Sequence, residues 1–162
     1  MKDKAFESER LSYREICIED TEYIVRWRST PEIYRCFKKP EPLSVQEHID
    51  WFNKRYIPDL KRVEYIILHK ESASPIGMIG VSNLQDESLE IGYLIGDLSY
   101  QRCGYAVEAI NAVVNRYGNA GVRCYFAEIR ADNDASIKTI EKCGFKYDIE
   151  LDSDFLLYKK VC

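Results

Sequence analysis

The chain has 162 residues, the length of one ordinary domain, and 46% of them are hydrophobic and 31% charged, as in a globular protein. Its net charge of −4 argues against general nucleic-acid binding. No apolar run approaches the ~20 residues of a membrane span and no signal peptide is visible, so we expect a cytoplasmic protein without a membrane partner.

The six cysteines are scattered along the chain without a C-x-x-C pair, and there are only two histidines. This pattern predicts reduced thiols and no metal site. Neither an internal repeat nor a linker is visible, so residues 1–162 are expected to form one domain. Residues 1–9 are highly charged and are expected to be frayed. Whether the domain forms a homodimer stays open.

The first third of the chain predicts a strand followed by two helices. Apolar and polar residues alternate over 11–18, which is typical of a strand. An amphipathic helix follows, and Pro31 is expected to end it. Ser44 and Glu47 have the spacing of a capping box, which begins a second helix that stops before Pro58.

A hairpin and a strand–loop–helix unit are predicted next. Residues 63–68 and 76–81 are strand-like and are separated by turn residues. The stretch from Glu90 to Ala106 begins as a strand, continues as a polar loop that contains Gly104, and leads into a helix. The unpaired N–H groups and the dipole of a helix start favour an anion, so this unit predicts a pyrophosphate site. It has neither the Walker nor the dinucleotide glycine pattern.

The last third predicts the rest of a layered domain. Residues 123–131 are strand-like, a helix begins in the N-cap cluster at 132–136, and Gly144 ends it. Residues 145–151 and 155–161 predict two final strands. The order β-α-α-β-β-β-α-β-α-β-β describes a mixed α/β (α+β) domain, with about four helices packed on a mostly antiparallel sheet of six to seven strands.

Two motifs carry a family resemblance. Gln101-x-x-Gly104-x-Ala106 resembles the acyl-CoA loop of the Gcn5-related N-acetyltransferase (GNAT) superfamily, and its sequence is most similar to the ribosomal-protein N-terminal acetyltransferase branch. Downstream, Asn133-x-x-Ser136 resembles the last conserved block of the same enzymes. The resemblance implies the GNAT fold with splayed central strands and acetyl-CoA as co-substrate.

The resemblance also implies a donor site. Gly92 and Gly96 fit a strand that splays from its neighbour, although a simple β-bulge is the alternative. Arg102 and Cys103 depart from the family, which more often has a small residue followed by Lys or Arg. The residues implied for cofactor binding are Leu94, Ile95, Gln101, Arg102, Cys103, Gly104, Tyr105, Ala106 and Asn133.

Three residues are catalytic candidates. Many relatives place a thiolate-protonating Tyr where this chain has Ile140, so the resemblance implies Ser136 or water in that role. Glu90 and His48 are candidate bases, although a strand-end Glu is most often solvated and a single His is most often structural. Glu108 is expected to be a buried and paired structural carboxylate.

The acceptor amine stays open between a protein N-terminus, another small amine and a nucleotide-linked 4-amino sugar. The N-terminal third is similar to acetyltransferases of such sugars through Trp27-Arg28 and through Ser44-x-x-Glu47-His48-x-x-Trp51-Phe52. Trp27, Arg28, Trp51 and Phe52 are therefore candidate substrate-binding residues, with core packing as the alternative for the aromatic ones. The hypothesis from another class is an acyl-CoA-binding sensor without turnover.

Overall fold

The structure is a computed structural model that describes residues 4–84 and 87–162. In chain order the strands are β1 (Phe6–Glu7), β2 (Leu11–Glu15), β3 (Arg62–His69), β4 (Pro75–Ser82), β5 (Ser88–Ile95), β6 (Cys124–Arg130), β7 (Lys146–Glu150) and β8 (Phe155–Val161). The α-helices are α1 (Thr21–Arg28), α2 (Pro31–Tyr34), α3 (Val45–Trp51), α4 (Tyr105–Asn119) and α5 (Asp134–Lys142).

The strands form one sheet in the order β1-β2-β3-β4-β5-β6-β8-β7. All neighbours are antiparallel except β5 and β6, which are parallel. The predicted mixed, mostly antiparallel sheet is confirmed, with eight described strands instead of six to seven and five α-helices instead of about four.

The additional strand lies in the segment that was expected to be frayed. Phe6 and Glu7 pair with Tyr13 and Ser12 of β2. The Phe6 ring stacks on Tyr13 with 4.5 Å between ring centroids, and the Arg116 guanidinium lies 4.6 Å from the Phe6 centroid. Phe6 and Glu7 are thus paired and packed, because Phe6 places an aromatic side chain in a charged segment, and the expected fraying of residues 1–3 lies outside the described residues.

Two helix boundaries follow from local chemistry. Ser44 Oγ accepts a hydrogen bond from the Glu47 N–H at 3.1 Å, and Glu47 Oε2 accepts one from the Ser44 N–H at 2.8 Å, which confirms the capping box. The helix continues past α3 as a π-helical turn, Phe52–Tyr56. Pro31 occupies the first turn of α2, so it begins a helix as well as following one.

The parallel pair β5–β6 separates part-way along its length. Its register joins Ser88 to Cys124, Leu89 to Tyr125 and Glu90 to Phe126. β5 then continues to Ile95 on its pairing with β4 alone. In a strand, backbone groups point alternately to its two sides, so half of those beyond Glu90 face the gap between β5 and β6. The predicted splay of the central strands is confirmed.

The sheet has a hydrophobic cluster on each face. The cluster beneath α4 and α5 includes Ile110, Val113 and Ile140. The cluster beneath α1–α3 includes Ile24, Trp27 and Phe52. The gap between β5 and β6 therefore opens between two packed layers. In the described part of the chain, no helix has the length and apolar character needed to cross a membrane.

Candidate active site

The predicted pyrophosphate loop begins α4 as its sequence suggests. Gly104 is the N-cap of α4 and has φ of 79°, a left-handed conformation that favours glycine. It has no side chain to cap the first turn, so the N–H groups there point into the loop region. The Gln101 amide donates to the Ile95 carbonyl at 3.0 Å, which joins the loop to the end of β5.

Arg10 holds this loop from the far end of the sequence. Its Nε lies 2.7 Å from Glu108 Oε2, and one guanidinium nitrogen donates to the Cys103 carbonyl at 3.0 Å. The guanidinium also lies 4.3 Å from the Tyr105 ring centroid. Glu108 is paired as predicted, since Ser8 Oγ also donates to it at 2.7 Å, but its side chain is 14% exposed and therefore only partly buried. Sequence reasoning missed Arg10, which no local motif marks.

The two glycines of β5 have different environments. Gly92 pairs with Gly80 without a register shift, so the β-bulge alternative does not apply there. A Cβ on Gly92 would meet nothing within 4 Å, because the residue faces open space. A Cβ on Gly96 would lie 2.0 Å from Trp27 Cγ. Gly96 therefore makes room for an indole, whereas Gly92 leaves the gap open.

A cavity of about 360 Å³ opens on the α1–α3 side of the gap, and we call it the central cavity. Its walls come from α1, α3 and the segment between α2 and α3, and its floor comes from β3, β4 and β5. It is lined by Ile24, Arg28, Phe37, His48, Trp51, Arg62, Glu64, Met78, Gly80, Ser82, Glu90, Gly92, Tyr93 and Leu94. It thus brings together five predicted site residues from distant segments: Arg28, His48, Trp51, Glu90 and Leu94.

The strand register explains the floor of the central cavity. One row across the three strands is Arg62–Ser82–Glu90 and the next is Glu64–Gly80–Gly92. The glycines make the second row hollow, so the Glu64 carboxylate lies over Gly80, where a Cβ would be 2.2 Å from its Oε2. Arg62 Nε donates to Glu64 Oε1 at 2.6 Å. Glu64 is only 7% exposed. Sequence reasoning missed it, although a carboxylate in an otherwise apolar strand was a signal.

Glu90 lies where β5 leaves β6. Burial and the nearby carboxylate of Glu128 raise the pKa of Glu90, whereas Lys38 and Arg62 act in the opposite direction. Lys38 forms an ion pair with Glu128. A carboxylate with a raised pKa accepts protons more readily at neutral pH than an exposed one does, which suits a general base.

Arg28 and His48 bring buried nitrogen atoms to the central cavity without protein partners. Among the buried side-chain atoms that the structure describes, Arg28 Nε and His48 Nε2 have no hydrogen-bond partner. His48 is 2% exposed. Burial lowers the pKa of both groups, and the neighbouring Arg28 cation lowers that of His48 further. His48 is therefore neutral at pH 7, and both residues have unused hydrogen-bonding capacity beside the cavity.

Comparison with known proteins agrees with this geometry. Residues 10–146 match the acetyltransferase (GNAT) domain family. This chain belongs to that family. It is also 34% identical over 146 residues to an uncharacterized protein of Methanocaldococcus jannaschii, a match that covers 88% of this chain and 29% of the relative. The chain therefore spans less than a third of that protein's length.

Two solved structures illustrate the similarity of this GNAT domain to others. A domain from Methanocaldococcus jannaschii has a TM-score of 0.86 and 30% identity, with 94% of this chain and 99% of that chain covered. Spermidine N-acetyltransferase from Vibrio cholerae, in complex with CoA and spermine, has a TM-score of 0.82 and 18% identity, and the match covers 94% of this chain and 95% of that chain. The second similarity concerns the fold alone. The family predicted from the sequence is confirmed.

The second GNAT motif joins α5 to β5. The Asn133 side-chain oxygen accepts from the Ser136 N–H at 3.2 Å, so Asn133 caps α5. Ser136 Oγ lies 2.6 Å from the hydroxyl of Tyr93, a residue that sequence reasoning did not select. Ile140, at the position of the tyrosine of many relatives, is fully buried in the core. A contact of Asn133 with pantetheine and a catalytic role of Ser136 stay predictions.

The four predicted acceptor residues of the GNAT domain divide into two pairs. Trp27 and Phe52 are 3% and 7% exposed and belong to the hydrophobic cluster beneath α1–α3. Neither is among the residues that line the central cavity, which favours the packing alternative for both. Arg28 and Trp51 do line it, and the Arg62 guanidinium lies 5.4 Å from the Trp51 ring centroid. Contact of these residues with an acceptor stays a prediction.

Proposed function

We propose that this domain transfers the acetyl group of acetyl-CoA to the amine of a small, oxygen-bearing acceptor bound in the central cavity. The observation that carries the proposal is the position of this cavity, which opens at the point where β5 separates from β6. The donor enters the gap from the side of the loop at 101–106, and the acceptor occupies the cavity beside it. Both substrates can then be present together, so the amine attacks the thioester directly.

The chemistry needs a proton acceptor, and Glu90 has the position for it. An ammonium group has no lone pair, so the acceptor must lose a proton before its nitrogen attacks the carbonyl carbon. Glu90 lines the cavity at the mouth of the gap, where it can take that proton directly or through a water molecule. Backbone N–H groups of β5 that face the gap can hold the carbonyl oxygen as negative charge develops on it. The carbon–sulfur bond then breaks and CoA leaves as a thiolate.

The charges around the central cavity favour an acceptor that is not a polycation. Its lining carries two cations, Arg28 and Arg62, and two carboxylates, Glu64 and Glu90. Since Glu64 is paired with Arg62, one carboxylate remains for an amine. A polyamine of the kind bound by the Vibrio cholerae neighbour would bring additional positive charges beside the Arg28 cation, at an energetic cost.

Unpartnered nitrogen atoms indicate that the acceptor carries oxygen atoms. A buried polar nitrogen without a partner costs about 1–3 kcal/mol. A hydroxyl, carboxylate or phosphate oxygen would recover this energy at the Arg28 Nε–H, and a hydroxyl, which can donate or accept, would do so at His48 Nε2 in either tautomer. The half-buried Trp51 ring adds a flat apolar surface to the same wall. A nucleotide-linked 4-amino sugar has the amine, the hydroxyl and phosphate oxygens and the flat base that this set of groups would accommodate. It is the acceptor that we propose.

The test is an assay of CoA and acetylated product by chromatography and mass spectrometry. Three acceptors are compared: a UDP-linked 4-amino-4,6-dideoxy sugar, an N-terminal peptide of a ribosomal protein, and spermidine. We expect turnover with the sugar alone. Turnover with the peptide or with spermidine and none with the sugar would overturn the proposal. Acetyl-CoA binding without turnover of any acceptor would favour the sensor hypothesis.

Two arginines of α1 provide a matched pair of variants for this assay. Arg28→Ala removes the guanidinium beside the central cavity, whereas Arg26→Ala removes an exposed one that lies over the Tyr23 ring. A charged hydrogen bond contributes about 1.5–3 kcal/mol, so R28A is expected to lower kcat/KM for the sugar about tenfold or more. R26A is expected to behave as the wild type. Equal effects of the two variants would remove Arg28 from the acceptor site.

A further inference from the structure

Tyr93 and Ser136 form a hydroxyl pair across the gap between β5 and β6. Tyr93 lies in β5, three residues beyond the last pairing with β6 at Glu90. Ser136 lies in the first turn of α5, which follows β6 in the chain. Their hydroxyl oxygens are 2.6 Å apart, and the Tyr93 oxygen is also 3.3 Å from the Ser136 carbonyl oxygen. Tyr93 additionally lines the central cavity, so the pair lies between both proposed substrate sites.

We propose that Tyr93 is a positioning residue that donates its hydroxyl proton to Ser136 Oγ and thereby leaves the Ser136 O–H free to stabilise the departing CoA thiolate. The inference rests on the proposed use of acetyl-CoA. In the opposite arrangement Ser136 would donate to Tyr93, and its own proton would be unavailable to the sulfur. This chain has Ile140 where many relatives have a tyrosine. Tyr93 of β5 instead brings a phenol hydroxyl to Ser136.

The pair acts by hydrogen bonding and keeps its protons. Burial raises the pKa of Tyr93 to about 12, and a hydrogen bond that the neutral phenol donates does not favour its ionisation. An ordinary thiol has a pKa of about 8.5, so moving a proton from Tyr93 to the thiolate would be unfavourable. When the carbon–sulfur bond breaks, its electron pair goes to sulfur and the Ser136 O–H donates to the thiolate. Glu90 takes the proton that the amine loses before its attack, and the second proton, which the nitrogen loses as the amide forms, goes to water. The thiolate takes a proton from water after release.

The test measures CoA binding and needs no acceptor. The affinities of CoA and desulfo-CoA are compared by titration calorimetry between pH 7 and pH 10.5, because the pKa of the CoA alkyl thiol lies above the ~8.5 of a cysteine side chain. A donor that lowers the pKa of the bound thiol by about one unit makes wild-type affinity for CoA, relative to desulfo-CoA, rise up to about tenfold over this range. We expect Tyr93→Phe to reduce the rise to about threefold or less, and Ser136→Ala to abolish it.

Desulfo-CoA removes the contributions of titrating protein groups, which affect both ligands alike. Cys143, whose pKa burial raises to about 11, acts electrostatically on Tyr93, and the titratable residues Glu90 and His48 line the same cavity as Tyr93. If Tyr93 acts through Ser136, the double variant Y93F/S136A behaves as S136A alone. Tyr147→Phe, which changes a 56% exposed tyrosine on β7, is the control and keeps the wild-type rise.

Two outcomes would overturn the inference. One is a wild-type pH dependence in Y93F, which would make Tyr93 a packing residue without influence on the sulfur. The other is a pH dependence that is the same for CoA and desulfo-CoA in the wild type, which would remove Ser136 as well. A failure of the acceptor assay leaves this binding test intact, so failures of the two proposals are distinguishable.

Discussion

Two glycines determine the shape of the cavity floor, and they predict opposite effects of substitution. A side chain at Gly92 enters open space, whereas a Cβ at Gly80 would lie 2.2 Å from Glu64 Oε2. Gly92→Leu is therefore expected to change the free energy of unfolding by no more than about 0.5 kcal/mol while lowering acetyl transfer about tenfold or more, since it fills the gap. Full activity of G92L in the acetyl-transfer assay would place the reacting groups elsewhere.

Gly80→Ala is the counterpart. The Glu64 carboxylate cannot move aside without breaking its bond to Arg62, so we expect G80A to lower the free energy of unfolding by about 1–3 kcal/mol. Urea denaturation of the two variants measures the difference. Equal stability of G80A and wild type would mean that Glu64 relocates at little cost and does not need the hollow above Gly80.

Replacement of the Glu90 carboxylate is expected to raise the stability of the protein and to lower its activity. Its pKa is raised in the folded state by burial and by Glu128. Between the pKa of the unfolded chain and the higher pKa of the folded state, Glu90 keeps its proton in the folded protein and has lost it in the unfolded chain. The contribution of Glu90 to stability therefore falls as the pH rises above about 4.3. Glu90→Gln removes the buried charge, so it should be more stable than wild type at pH 7, with an advantage that shrinks towards pH 4.

The same substitution removes the proposed base. Loss of a general base typically lowers turnover about 100-fold or more, so E90Q is expected to gain stability and lose activity together. Urea denaturation at the two pH values measures the first effect and the acetyl-transfer assay the second. Glu22→Gln, on the exposed surface of α1, is the control. An E90Q protein that is less stable than wild type at pH 7 would contradict the raised pKa.

At the scale of elements, the start of α4 can be tested with a matched pair of glycines. Gly104 and Gly121 have φ of 79° and 100°, one before α4 and one after it. A left-handed alanine costs about 1–2 kcal/mol, so Gly104→Ala and Gly121→Ala should lose similar stability. Only G104A is expected to lose acetyl-CoA affinity, about tenfold, because only Gly104 borders the proposed pyrophosphate site. Equal affinities in a calorimetric titration would exclude this loop as the donor site.

The elements that the sequence predicted are those whose signals are local. Ser44 and Glu47 are three residues apart, and the strand, loop and helix around Gly104 follow one another directly, so their patterns can be read along the chain. Contacts between segments that are distant in sequence could not be predicted in this way. The bond of Arg10 to Glu108 joins residues 98 positions apart. Likewise, the Glu64 carboxylate has room on the cavity floor because the residues level with it on β4 and β5, Gly80 and Gly92, have no side chains.

At the scale of the whole molecule, the sheet separates two tasks. In the proposed arrangement, the α4 and α5 side would provide the loop and the Ser136 hydroxyl for the donor, and the α1–α3 side would provide the cavity for the acceptor. The gap between β5 and β6 is where the two proposed sites meet, as direct transfer in a ternary complex requires.

The most direct test of this account is amide hydrogen exchange with and without acetyl-CoA, read by mass spectrometry. Binding slows exchange where backbone N–H groups gain partners or lose contact with water. We expect protection to be concentrated in residues 91–95, residues 101–106 and the first turn of α5, with β7 unchanged. Saturating acetyl-CoA that leaves these segments unprotected, or that protects others instead, would contradict the placement of the donor in the gap between β5 and β6.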